Sequence, residues 1–208
     1  MSGTPEQEAD RVVPLTYAVA GAQSGRNFYN YKDVTVNERT RENAFAQIVP
    51  FMWAFTVDHA DCLDRAATRP VDAVCIVPSG RGREGAHPLE RIARHAPPRW
   101  TRTDATRIAA PRSRFDPASI GFAQDQDLDG AHLVVIDDTW VKGASAETVG
   151  MAARRRGAAE ITILAVARWL EPRFGNTREI HAAVRANGHW TRERCPVGGG
   201  DCRIAASR

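Results

Sequence analysis

One stretch, His132 to Gly157, constrains this chain more than any other; it reads HLVVIDDTWVKGASAETVGMAARRRG. Leu133 to Ile136 is an unbroken apolar run that ends in two carboxylates, Asp137 and Asp138. A strand with water on one face would alternate polar and apolar, so the run predicts a strand covered on both faces. A short turn of Val141, Lys142, Gly143, Ala144 and Ser145 follows, and Ala144 to Arg156 is rich in helix formers. Gly157 tolerates the left-handed backbone that ends a helix. The unit is strand, acidic pair, small-residue loop, helix.

That order has a chemical consequence. The loop aims unpaired backbone N–H groups and the positive end of the helix dipole at whatever lies above the strand's carboxyl end, which suits a phosphate. Carboxylates beside it repel that phosphate and instead suit two neighbouring hydroxyls, as on a ribose. Phosphate and diol held together point to a sugar phosphate. An apolar run ending in Asp-Asp also occurs as the second nucleotide motif of P-loop ATPases, and an acidic residue can simply cap a turn. The chain has no G-x-x-x-x-G-K-[ST], so the P-loop alternative lacks its main support.

Two more apolar runs, Val71 to Val77 and Glu160 to Ala167, predict strands, and Leu15 to Ala20 is a shorter candidate. Helical patterns lie between them: Glu38 to Arg65, where Pro50 should bend or break the helix, then Ala86 to His95. Asn176 to Ala186 predicts a last helix. Strands alternating with helices argue for a parallel sheet built by right-handed crossovers. Phe51, Trp53 and Phe55 are expected to pack in the core. After the second strand, PSGRGREG places Ser79, Gly80, Arg81 and Arg83 where close backbone approach and positive charge make a second anion loop. Residues 97–129, rich in Arg, Thr, Pro and Asp, should be largely loop, of a length usual for a functional lid.

At the Asp137–Ser145 unit the chain resembles the type I phosphoribosyltransferase family, whose signature is an apolar strand, two acidic residues, a Thr- and Gly-rich loop and a helix. The Arg-x-Thr pattern, an arginine cluster and a Phe ahead of the acidic strand look nearest to the ComF-type branch. The resemblance implies a type I phosphoribosyltransferase-like α/β fold, with a parallel sheet flanked by helices. It also implies a site for 5-phosphoribosyl 1-diphosphate (PRPP) with Mg2+. Asp137 and Asp138 would take the ribose hydroxyls. Val141, Lys142, Gly143, Ala144 and Ser145 would take the 5-phosphate. Ser79, Gly80, Arg81 and Arg83, with Arg112 and Arg114 from the lid, would take the pyrophosphate. Where the family has Thr-Thr before the glycine, this chain has Val141-Lys142, and a lysine meets a phosphate as a point charge. The implied activity is that of a pentosyltransferase, moving the phosphoribosyl group to a nitrogen acceptor with release of pyrophosphate. A non-catalytic PRPP sensor and an RNA-binding regulator are the alternatives.

The 208 residues suit one core with an appendage: a disordered tail over 1–14, a core over 15–168, and an extension over 169–208 that packs on the N-terminal helical region as a hood. Hydrophobic and charged contents of 43% and 25% are those of a globular protein, and a net charge of +3 needs no nucleic acid to explain it. No apolar run reaches the ~20 residues of a membrane span, and the start lacks a signal-peptide pattern, so a cytoplasmic protein is expected. In that compartment the four cysteines are thiols or metal ligands. Cys75, inside an apolar run, is a core residue. His59 and Cys62 have H-x-x-C spacing, and Cys195 and Cys202 flank a Pro- and Gly-rich turn. Together they make a candidate zinc site, with His189 competing for the fourth place; isolated thiols are the alternative. The sequence leaves open whether the chain acts as a homodimer.

Overall fold

The computed structural model describes residues 8–79, 87–173, 175, 177–186, 188 and 190–200. Five strands form a parallel sheet in the order β1-β7-β6-β2-β3. They are β1 (Arg11–Val19), β2 (Ala73–Ile76), β3 (Thr101–Arg102), β6 (His132–Trp140) and β7 (Glu160–Leu170). A separate antiparallel ribbon pairs β4 (Ala105–Arg107) with β5 (Ile120–Phe122). The region expected to be largely loop therefore contains a short ribbon, whose two strands carry too few residues to show a periodicity.

Helices cover both faces. Leu133, Val134, Val135 and Ile136 are each fully buried. Their side chains alternate: Val134 and Ile136 join one core cluster, Leu133 and Val135 the other. The first cluster packs against α1 (Gln23–Asn30), α2 (Glu38–Ala54), α3 (Ala60–Ala66) and α4 (Pro88–Ala93), through Phe28, Ile48, Met52, Leu63, Leu89 and Ile92. The second packs against α5 (Ala144–Arg155), through Ala146, Val149 and Ala153. Each buried aliphatic side chain contributes roughly 1.5–3 kcal/mol, which is why the run tolerates no polar residue until Asp137. A final helix, α6 (Thr177–Ala186), follows β7.

Three local expectations are revised. Strand β1 starts at Arg11 rather than Leu15. Asp10, expected in the tail, receives the Ile161 N–H at 2.7 Å and pairs with Arg154, so backbone and charge both tie it down. Helix α2 runs through Pro50, and the irregularity falls later, at a π-helical turn over Phe55–His59. Phe55 is in the core as expected, but Trp53 is half exposed and lies under Arg192, whose guanidinium carbon is 4.8 Å from the ring centre. No helix among the described residues is long and apolar enough to cross a membrane.

Candidate active site

Every strand of the parallel sheet ends on the same rim, and at that rim the end of β6 opens into a cavity of about 670 Å³. Crevices at the carboxyl ends of strands are the usual ligand sites of open α/β sheets. Asp137 and Asp138 line this cavity, as do Val141, Lys142, Gly143, Ala144, Ser145 and, from the β2 loop, Ser79. The three parts of the chain that the sequence assigned to one sugar phosphate thus border one space. Gly80, Arg81 and Arg83 lie outside the described residues.

The two carboxylates differ sharply in environment. Asp137 is 9% exposed, in register with Ala165 of β7, and its carboxyl is pushed up to about 7. Burial is the larger cause and repulsion from Asp138 the next, while Lys32 and the backbone N–H groups of Asp138 and Thr139 oppose them. Asp138 is held from outside the sheet: its Oδ2 accepts from the Tyr31 hydroxyl at 2.5 Å and from Lys32 Nζ at 2.5 Å. Tyr31 and Lys32 follow α1 directly, and Tyr29, Lys32 and Asp33 also line the cavity. These residues were missed by the sequence reasoning. The signal was a polar, aromatic-bearing turn, but nothing local in it says that a carboxylate more than a hundred residues away is its partner.

The loop between β6 and α5 owes its shape to one residue. Gly143 has φ +71°, and a Cβ there would lie 2.4 Å from the Trp140 ring, so both backbone and packing demand glycine. It is also the residue from which α5 starts, with no side chain capping the helix. The first N–H groups of α5 are left without intrahelical partners, next to a lysine, at the cavity wall. Thr139 lines the same cavity, and its hydroxyl is buried without a hydrogen-bond partner among the described residues.

Arg112 and Arg114 part company. Arg114 donates to the Lys142 carbonyl at 3.1 Å, on the loop between β6 and α5. Arg112 instead closes a local loop onto Asp116, with its backbone N–H at 2.9 Å and Nε at 3.2 Å, and its side chain is 81% exposed. Neither lines the cavity. His59, Cys62 and Cys195 do come together, with ligand atoms within 4.8 Å of one another, away from the cavity lining. Cys202 and His189 lie outside the described residues. Cys75 is buried in β2, where burial pushes its thiol far up and keeps it inert. Within the extension, Trp190 meets Phe51 of α2 edge-on at 5.0 Å.

No family model matches the chain, and no curated protein matches it in sequence. Among solved structures, it is similar to orotate phosphoribosyltransferase of Mycobacterium tuberculosis H37Rv (22% identity, 71% of this chain and 74% of that chain, TM-score 0.37). It is also similar to a hypoxanthine phosphoribosyltransferase of Staphylococcus aureus (9% identity, 61% and 64%, TM-score 0.37). A purine phosphoribosyltransferase of Pyrococcus horikoshii Ot3 is a third (18% identity, 61% and 90%, TM-score 0.36). Likenesses this weak transfer neither a residue nor an activity, and the chemistry has to come from the cavity's own side chains.

Proposed function

We propose that the chain binds PRPP in this cavity and transfers its 5-phosphoribosyl group to a nitrogen acceptor, releasing pyrophosphate. One observation carries the reading: a single cavity is bordered by the acidic pair ending β6, by the uncapped start of α5, and by Ser79 of the β2 loop. In this reading the 5-phosphate rests on the N–H groups at Gly143 to Ser145, with the Lys142 charge beside it. Asp137 and Asp138 accept the ribose hydroxyls. The β2 loop faces the pyrophosphate.

Transfer forms a bond from the acceptor nitrogen to the anomeric carbon and breaks the bond from that carbon to the pyrophosphate oxygen, which leaves with the electron pair. The nitrogen then loses its proton to solvent. The carbon passes through an oxocarbenium-like state, whose positive charge the acidic pair offsets. Positioning does most of the rest. Mg2+ binds oxygen ligands, and the carboxylates of Asp137 and Asp138 are of that kind, so they suit an ion that enters with PRPP. When bound, it neutralises the leaving pyrophosphate. Affinity to the ComF-type branch rests on the arginine-rich segment before β6, while the paired C-x-x-C that such proteins carry near their amino end is missing here.

A second reading, a PRPP-binding regulator without turnover, is favoured by Val141 and Lys142, which stand where the family resembled has Thr-Thr. Calorimetry of the full chain with PRPP and Mg2+ tests both readings. Binding that is lost in the Asp137→Asn, Asp138→Asn double variant supports the site, and no heat with the parent chain overturns it. Pyrophosphate release on addition of nucleobases or amines then separates transfer from sensing.

A further inference from the structure

We propose that His59, Cys62 and Cys195 bind one zinc ion, which fastens the segment around Cys195 onto the π-helical turn and α3. This inference is independent of the PRPP reading, because none of the three residues lines that cavity.

Geometry comes first. The ligand atoms of the three side chains lie within 4.8 Å of one another, although Cys195 is far from the other two in sequence. Local structure brings them there. The π-helical turn Phe55–His59 interrupts the run from α2 to α3 and ends on His59, and such turns concentrate at functional sites because they re-aim side chains. Cys62 follows in the first turn of α3. Cys195 is 7% exposed and sits in a tight turn, where it accepts from the Gly199 N–H and donates to the Gly200 carbonyl, each at 2.9 Å.

The imidazole supplies a second, independent observation. His59 is 3% exposed, and its Nε2 lies 2.7 Å from the Arg192 carbonyl oxygen. A carbonyl can only accept, so Nε2 carries the proton and Nδ1 carries a lone pair. That Nδ1 is buried without a hydrogen-bond partner among the described residues. Metal-bound histidines have this arrangement, with one ring nitrogen held by a backbone carbonyl and the other directed at the ion. A buried, unpaired acceptor is otherwise unfavourable. Arg65 Nη2 stands 3.4 Å from Cys62 Sγ, where its charge favours the thiolate that a metal needs.

An imidazole nitrogen with two thiols selects zinc over magnesium or calcium, which prefer oxygen. Binding forms one Zn–N and two Zn–S bonds and releases the proton of each thiol to solvent. The role is structural: Arg192 pairs with Asp58 one residue before His59, so a salt bridge and the ion hold the same two segments together.

Metal analysis of the full chain, produced with added zinc and purified without chelator, tests the proposal. About one zinc per chain is expected, and its loss in Cys195→Ser with the far-UV circular dichroism of the parent retained. Cobalt titration of the chelator-stripped parent covers the case in which that variant fails to fold. A sulfur-to-cobalt charge-transfer band supports the site. Less than about a tenth of a zinc per chain with no such band overturns it, as does a Cys62–Cys195 disulfide in the mass spectrum.

Discussion

Lys32 Nζ stands 2.5 Å from Asp138 Oδ2, so the residues that follow α1 hold one member of the acidic pair ending β6. The pair is thereby made unequal. Asp138 keeps a cation beside it, while Asp137, buried and facing that charged neighbour, is pushed up to about 7.

Removing the lysine should enlarge this inequality. Lys32 lowers the Asp137 carboxyl, so Lys32→Met should raise its titration midpoint above about 7. Carbon-detected NMR of the Asp137 carboxyl measures the midpoint directly. An unmoved midpoint would mean that Lys32 does not act on the pair in solution.

Stability should depend on pH through the same group. The carboxyl's ordinary value is 3.8 and its folded value about 7, so the folded chain keeps a proton that the unfolded chain gives up. The stability this contributes is full below 3.8 and is lost as pH rises through about 7. Asp137→Asn stays neutral at every pH. It should match the parent near pH 4 and exceed it above pH 7, by no more than about 4 kcal/mol. Urea unfolding at both pH values tests this, and an equal difference at each would contradict it.

Ligand binding should show the opposite trend. A carboxylate that accepts from ribose hydroxyls must be ionised, so PRPP affinity should rise as pH increases through about 7. Calorimetry in buffers of different protonation enthalpy should detect proton release on binding. An affinity that is flat with pH would remove Asp137 from the contact.

Gly143→Ala should damage both fold and site. The substitution meets φ +71° and the Trp140 ring at 2.4 Å. A loss of about 1–3 kcal/mol is expected, with weaker binding of inorganic phosphate. Thermal unfolding and phosphate titration give the two readouts. A variant as stable as the parent would mean that the loop has room which the structure denies it.

Lys142→Ala should weaken PRPP binding by about fivefold to tenfold and flatten its salt dependence, since the side chain would meet the phosphate as a point charge. Titrations at low and high ionic strength test it. Unchanged affinity at low salt would leave the N–H groups of the loop to act alone.

What could be read in advance followed from burial. Leu133–Ile136 and Ile163–Ala167 are legible because a strand covered on both faces need not alternate, and an unbroken apolar run has few other uses. The turn from β6 into α5 was legible because Gly143 and the helix after it are contiguous in sequence. Tyr31 and Lys32 were not, because their meaning depends on α1 ending beside β6, a relation set by packing. The Arg112–Asp116 ion pair was not anticipated either, although both residues lie in the same loop. Trp53 looked like core by its aromatic neighbours, yet it faces outward beneath a tail residue that local sequence cannot bring to it.

The strand order has a mechanical corollary. Strands β1, β2 and β3 precede the 108–116 loop, β6 and β7 follow it, and the sheet interleaves them as β1-β7-β6-β2-β3. A protease nick in that loop would leave two fragments clasped like folded hands, because the later pair of strands lies between the earlier ones. Neither fragment could leave without unzipping three ladders at once, β1 from β7, β2 from β6, and the β4–β5 ribbon.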